Sequence, residues 1–193
     1  MIKRFKQFIT EAIVIPPTIP NTMNFWHGGN LDNYADVISH KSGRHEYGAG
    51  LYLINKYNAV TKYIKGNRKL YMVTVEKGVD ISDSYIDKET AQQFIKKNCI
   101  KSNQNDILMR LEKYTENDKV WADVFNNCIL NTNGLPSSKT NLLRSFLIEC
   151  GIDYEIVDNP FGWGEKMMVL YNMKKIVKIT QIKSTDKIEQ FDL

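Results

Sequence analysis

Three successive stretches in the middle of the chain, "KETAQQFIKKN" (88–98), "NDILMRLEKYT" (105–115) and "KVWADVFNNCIL" (119–130), repeat their apolar residues at helical spacing and are parted by Asn-rich, charged turns. On both sides lie short runs rich in β-formers. "MNFWH" (23–27), "GAGLYLI" (48–54) and "KLYMVTVE" (69–76) come before, and "DYEIV" (153–157), "MMVLYN" (167–172) and "IVKITQI" (176–182) come after. Further helices are predicted at "LDNYADVIS", "YNAVTKYIK" and "KTNLLRSFLIEC", the last following Pro136-Ser137-Ser138 and closed by Gly151. Strands grouped at both ends with a helical block of about 85–131 between them indicate an α+β protein. The strict strand–helix alternation of a doubly wound fold is absent.

A chain of 193 residues is one domain by length, and a domain of that size buries about 70 % of its unfolded surface, so it forms a core without staples. About half of the net charge of +4 comes from Lys3, Arg4 and Lys6 set against Glu11, which leaves the rest too weakly basic to imply nucleic-acid binding from charge alone. Cys99, Cys128 and Cys150 lie far apart in helical segments, with neither metal-ligand spacing nor an even disulfide set, and read as reduced, packed thiols. No apolar run approaches the ~20 residues of a membrane span, so the expected protein is soluble and without a membrane partner, and a monomer is expected.

The opening "MIKRFKQFITEA" is basic, with Phe5, Phe8 and Ile9 on one helical face, and "IVIPPTIPN" after it reads as an extended, proline-broken linker. Residues 1–11 therefore form a removable leader, 12–22 a linker and 23–193 the domain. The leader resembles the capsid-targeting peptides of internal head proteins in large tailed phages, which are cut after a glutamate in an aliphatic-x-Glu context. Ile9-Thr10-Glu11 would be that site. The resemblance implies packaging in the virion with phage DNA and delivery to the host cytoplasm.

The motifs that would carry a common cofactor are missing: Gly48-Ala49-Gly50 precedes its strand and lacks the third glycine of a dinucleotide fingerprint, and there is no GK[ST] loop, HExxH or GxSxG. Present in order are "FWHGG", "YGAGLYL" and "NKYNAVTKY", with Tyr52 and Tyr63 eleven positions apart. A strand returning into a helix through a short turn lets a ring on the strand face one in the helix's second turn. A flat ring fits between them, and one that carries a positive charge would be held by stacking and cation–π attraction of about 0.5–2 kcal/mol per ring.

These elements, with the late strand "EKMMVLYN", resemble the ADP-ribosyltransferase superfamily in its His-Tyr-Glu branch, which includes diphtheria-type toxins and poly(ADP-ribose) polymerases. The resemblance implies a split β-sheet core with the helical block inserted, and NAD as substrate. It implies that Tyr52 and Tyr63 hold the nicotinamide, that the Gly28 backbone meets its carboxamide, and that His27 binds a ribose of the adenosine half. A late-strand glutamate would stabilise the oxocarbenium-like charge as the glycosidic bond breaks.

Aligning "MVLYN" with the family's strand puts Met167 at the acid's position. Glu165 shares its face two residues earlier and would serve if a bulge or local shift brings it in, with Glu155 on the neighbouring strand a weaker alternative. Val60 stands where polymerase-type members have a serine, with Thr61 adjacent. Arg44 is a partner for the pyrophosphate, and Phe161 and Trp163 in "NPFGWG" are expected to meet acceptor or dinucleotide. No metal is called for. The expected activity is mono-ADP-ribosylation of a host protein or nucleic acid. The alternatives are a catalytically weak relative that blocks a host factor by binding, and an NAD glycohydrolase.

Overall fold

The computed structural model of the chain describes residues 21–31, 47–62, 64, 68–160, 162 and 164–182. The leader, most of the linker and the helix expected at "LDNYADVIS" lie outside them. Thr22, assigned by sequence to the linker, is already the first residue of a strand and pairs with Glu76.

The first strands are β1 (Thr22–Gly29), β2 (Leu51–Ile54) and β3 (Lys69–Glu76), with the short helix α1 (Tyr57–Thr61) between the last two. The middle of the chain follows as β4 (Tyr85–Asp87), α2 (Lys88–Asn98), α3 (Lys101–Glu112), β5 (Thr115–Glu116), β6 (Lys119–Trp121) and α4 (Ala122–Asn131). It closes with α5 (Thr140–Glu149), β7 (Tyr154–Asp158), β8 (Lys166–Leu170) and β9 (Ile176–Ile182). The result is a mixed α+β molecule with open antiparallel sheets, and no described helix is long and apolar enough to cross a membrane.

Strands from both ends of the chain interleave in one sheet of order β7-β8-β2-β1-β3-β9. Its pairing is uneven: β1 runs in register with β3 along its whole length, from Thr22↔Glu76 to Gly29↔Lys69, whereas β1 and β2 register at Trp26↔Ile54. The sheet is thus two three-stranded halves joined at a narrow seam.

Side-chain alternation gives the sheet two apolar faces. Ile54, Met167 and Val169 pack with Ile95, Phe125, Ile129 and Leu147 of the central helices in one core. Phe25, Leu53, Val73, Met168 and Leu170 cluster on the opposite face. Asp87 caps α2, its side chain accepting from the Thr90 N–H, and Gly151 ends α5 at φ +83°.

The central block is not purely helical. Lys119–Trp121, expected to begin a helix, is a strand between β4 and β5 in a small second sheet. Asn117 and Asp118 both take left-handed backbone (φ 49° and 59°), which is the two-residue turn that lets Glu116 pair with Lys119. The helix starts only at Ala122. Cys99 and Cys128 within this block are buried and Cys150, at the end of α5, is half-buried; all three are free thiols.

Candidate functional site at the seam of the sheet

The Gly-x-Gly turn before β2 has a mechanical explanation. Gly48 sits at φ +94°, where a Cβ is strained. A Cβ on Gly50 would come within 2.7 Å of Val169 Cγ1 and 2.9 Å of the Leu170 carbonyl oxygen. The first glycine makes the turn, and the second lets β2 start hard against β8.

Tyr52 closes that turn: its hydroxyl donates to the Gly48 carbonyl (2.8 Å) and accepts from the Tyr47 N–H (3.3 Å). The ring is half-buried against the core of the central block.

His27, near the end of β1, alternates to the other side of the sheet from Tyr52, yet the two meet. The His27 Nδ1–H donates to the Tyr52 carbonyl at 2.9 Å. In a continued ladder a backbone N–H of β1 would serve that carbonyl; here the strands have parted and the imidazole supplies the donor. This bond fixes the tautomer, leaving Nε2 as an acceptor. Burial pushes the imidazole below its ordinary pKa, the bond to Tyr52 works against that, and the charge of Arg68 adds to the lowering. The ring is neutral at pH 7. It lies over Gly29, where an added Cβ would run into Nε2.

The next glycine back is closed in from the other side. A Cβ on Gly28 would come within 3.1 Å of the Val60 carbonyl oxygen and 3.2 Å of Ile64 Cγ1, so the end of α1 packs directly on this strand. Thr61 Oγ1 donates to the Asn58 carbonyl (2.8 Å), a bond within its own helix. Tyr63, Arg44, Phe161 and Trp163 lie outside the described residues.

Glu165 stands just before β8, its backbone held in a tight turn: its N–H donates to the Gly162 carbonyl (3.2 Å) and its carbonyl accepts from the Asn159 N–H (2.7 Å). Carboxylate Oε2 is buried and has no hydrogen-bond partner among the described residues. The shift that would carry this acid to the Met167 position does not occur. The β2–β8 register is continuous from Leu51↔Leu170 to Ile54↔Met167, and Met167 is a core residue at 3 % exposure. Glu165 stays one pleat further out.

Sequence reasoning missed the residues that fix this turn. Asn55 Oδ1 accepts from the Lys166 N–H (2.7 Å) and its Nδ2 donates to the Gly164 carbonyl (3.3 Å), while Asn159 Oδ1 accepts from the Gly164 N–H (2.7 Å). Asn159, at φ +54° before Pro160, carries a turn signal that could have pointed to it. Also missed was a buried polar network. Glu155 Oε2 accepts from the Tyr171 hydroxyl (2.7 Å) and from Asn126 Nδ2 (3.3 Å).

The carriers are therefore neighbours: β1 with His27, β2 with Tyr52 and β8 led by Glu165 are consecutive in the sheet. Among the described residues no group of His, Cys, Asp and Glu could hold a metal ion. In comparisons with known proteins, no family model, no curated protein and no solved structure matches the chain.

Proposed function

We propose that this protein is an NAD-dependent mono-ADP-ribosyltransferase that modifies a macromolecule of a bacterial host, and that leader residues 1–11 bring it in with phage DNA. The reading is carried by the hydrogen bond from His27 to the Tyr52 carbonyl. It holds the two motif residues together where the sheet parts, and leaves a neutral imidazole acceptor for a ribose hydroxyl. The adjacency of β1, β2 and β8 and the narrow seam support the split-sheet expectation.

Glu165 takes the acid's role in this reading without the shift expected of it: it stays one pleat outside the Met167 position, and its buried carboxylate oxygen, without a partner among the described residues, calls for a donor such as a ribose hydroxyl. In the reaction the glycosidic bond of NAD breaks, nicotinamide leaves as a neutral ring with the bonding pair, and Glu165 offsets the positive charge on the sugar until the acceptor's nucleophile adds to it. Tyr52 and Tyr63 would favour the cationic ring over the neutral product.

Labelled NAD incubated with host lysate tests this. Label transferred to a macromolecule, lost in Glu165→Gln, supports the proposal; label released only as free ADP-ribose, or never released, contradicts it. One observation favours a second reading, a binding protein that has lost turnover. Met167 is locked in the core shared with the central block, in continuous register, where the acid would stand. NAD that raises the Tm without any turnover would establish that reading.

A further inference from the structure

The network beneath the Gly-x-Gly turn has a feature that simple packing does not require: one hydrogen has two acceptors. The Tyr171 hydroxyl lies 2.7 Å from Glu155 Oε2 and 3.3 Å from the Tyr47 carbonyl, and it can donate to only one at a time. Tyr47 in turn gives its N–H to the Tyr52 hydroxyl, which is anchored on Gly48. Glu155 and Tyr171 are 8 % and 1 % exposed, and Asn126, at 1 %, bridges them from α4.

We propose that Glu155 is a proton-linked positioning residue for Tyr52, acting through Tyr171 and the Tyr47 carbonyl. With Glu155 ionised, Tyr171 donates to the carboxylate and the Tyr47 carbonyl goes without. When Glu155 takes up a proton from solvent, its own O–H donates to the Tyr171 oxygen, and the phenolic hydrogen turns to Tyr47 and tightens the turn that carries Tyr52. The total number of hydrogen bonds rises by one, at the turn.

The surroundings put this exchange in the physiological range. Burial raises the Glu155 carboxyl to about 7, the bond from Tyr171 opposes the rise, Asp80 and Asp123 add to it, and the bond from Asn126 opposes it. These groups face it from the turn before β4, from α4 and from the end of β8. Tyr171 is itself held well above its ordinary pKa, first by burial and then by Glu155, so it stays a donor. On its far side the Tyr171 carbonyl accepts from Arg144 Nε (2.7 Å) of α5. The consequence for the dinucleotide rests on the transferase reading; the relay itself does not.

The experiment is an NMR titration of the full chain from pH 5.5 to 8.5. It follows the Glu155 carboxyl carbon, assigned by its loss in Glu155→Gln, together with exchange protection of the Tyr47 amide corrected for intrinsic rate. The expected result is a drop of about fivefold in Tyr47 protection, the weight of one net hydrogen bond, with the midpoint of the Glu155 titration. In Glu155→Gln, whose carboxamide donates to Tyr171 permanently, protection stays high at every pH. In Tyr171→Phe it stays low while Glu155 still titrates.

A Tyr47 step that survives in Glu155→Gln, or wild-type protection indifferent to the Glu155 titration, overturns the proposal. If the glutamine variant does not fold, the wild type and Tyr171→Phe decide it. NAD affinity measured alongside should be about fivefold tighter on the acid side. A Tyr47 step with no NAD binding at any pH supports the relay and overturns the transferase reading.

Discussion

His27 gives the Tyr52 carbonyl the hydrogen bond that a neighbouring strand would otherwise provide, at 2.9 Å across the point where β1 and β2 part. A side chain standing in for backbone makes the seam dependent on one residue. His27→Ala removes that hydrogen bond and should cost about 1–3 kcal/mol, read from chemical denaturation, and should weaken NAD binding. An unchanged midpoint would mean that water serves the carbonyl as well.

The same histidine sets an acid limit. Its folded pKa is below 6.5, so between the two values the unfolded chain binds more protons, and stability falls as pH drops through 6.5 toward the folded value. The wild type should lose stability on that limb, and His27→Ala should lose less. Equal slopes would contradict a buried neutral imidazole.

Glu155 acts in the opposite sense. Its carboxyl is raised from 4.5 to about 7, so the folded state holds the proton longer than the unfolded one, and stability declines as pH rises between these values. The decline is on the order of 3 kcal/mol. Comparing Glu155→Gln with the wild type at pH 5 and pH 8 isolates it from His27. The variant should gain on the wild type at pH 8, and a variant that loses ground there refutes the buried charge.

Gly50→Ala should be among the costliest single changes, because the added methyl meets the Leu170 carbonyl as well as Val169 and the two strands must separate. A loss of about 2–3 kcal/mol is expected in denaturant melts. Gly151→Ala is a contrasting control. Nothing lies within 4 Å of its Cβ position, so only the strain at φ +83° remains, at about 1–2 kcal/mol.

These contrasts show what was legible in the sequence. "KLYMVTVE" and "KETAQQFIKKN" match β3 and α2 residue for residue, because dense β-formers and an Asp87 cap with a basic last turn agree with their surroundings. Lys119–Trp121 is a strand that reads as helix because Val120 and Trp121 stand four residues before Val124 and Phe125; pairing with Tyr85 decides between the two patterns, and no local signal records that pairing. The Asn117-Asp118 turn was the available clue. At the site, the motif positions of His27, Tyr52 and Glu165 could be read in order along the chain. That Met167 would be buried beneath the central block, and that Glu155 would share one hydrogen with a backbone carbonyl, depends on packing between strands and helices far apart in sequence.

The most direct test follows the His27 imidazole by NMR while NAD is added to the full chain. The account predicts saturable shifts at Nε2 and Cε1 with the Nδ1–H bond to Tyr52 preserved, and weaker saturation in Tyr63→Ala. An imidazole whose resonances do not move at millimolar NAD would contradict a dinucleotide site at the seam.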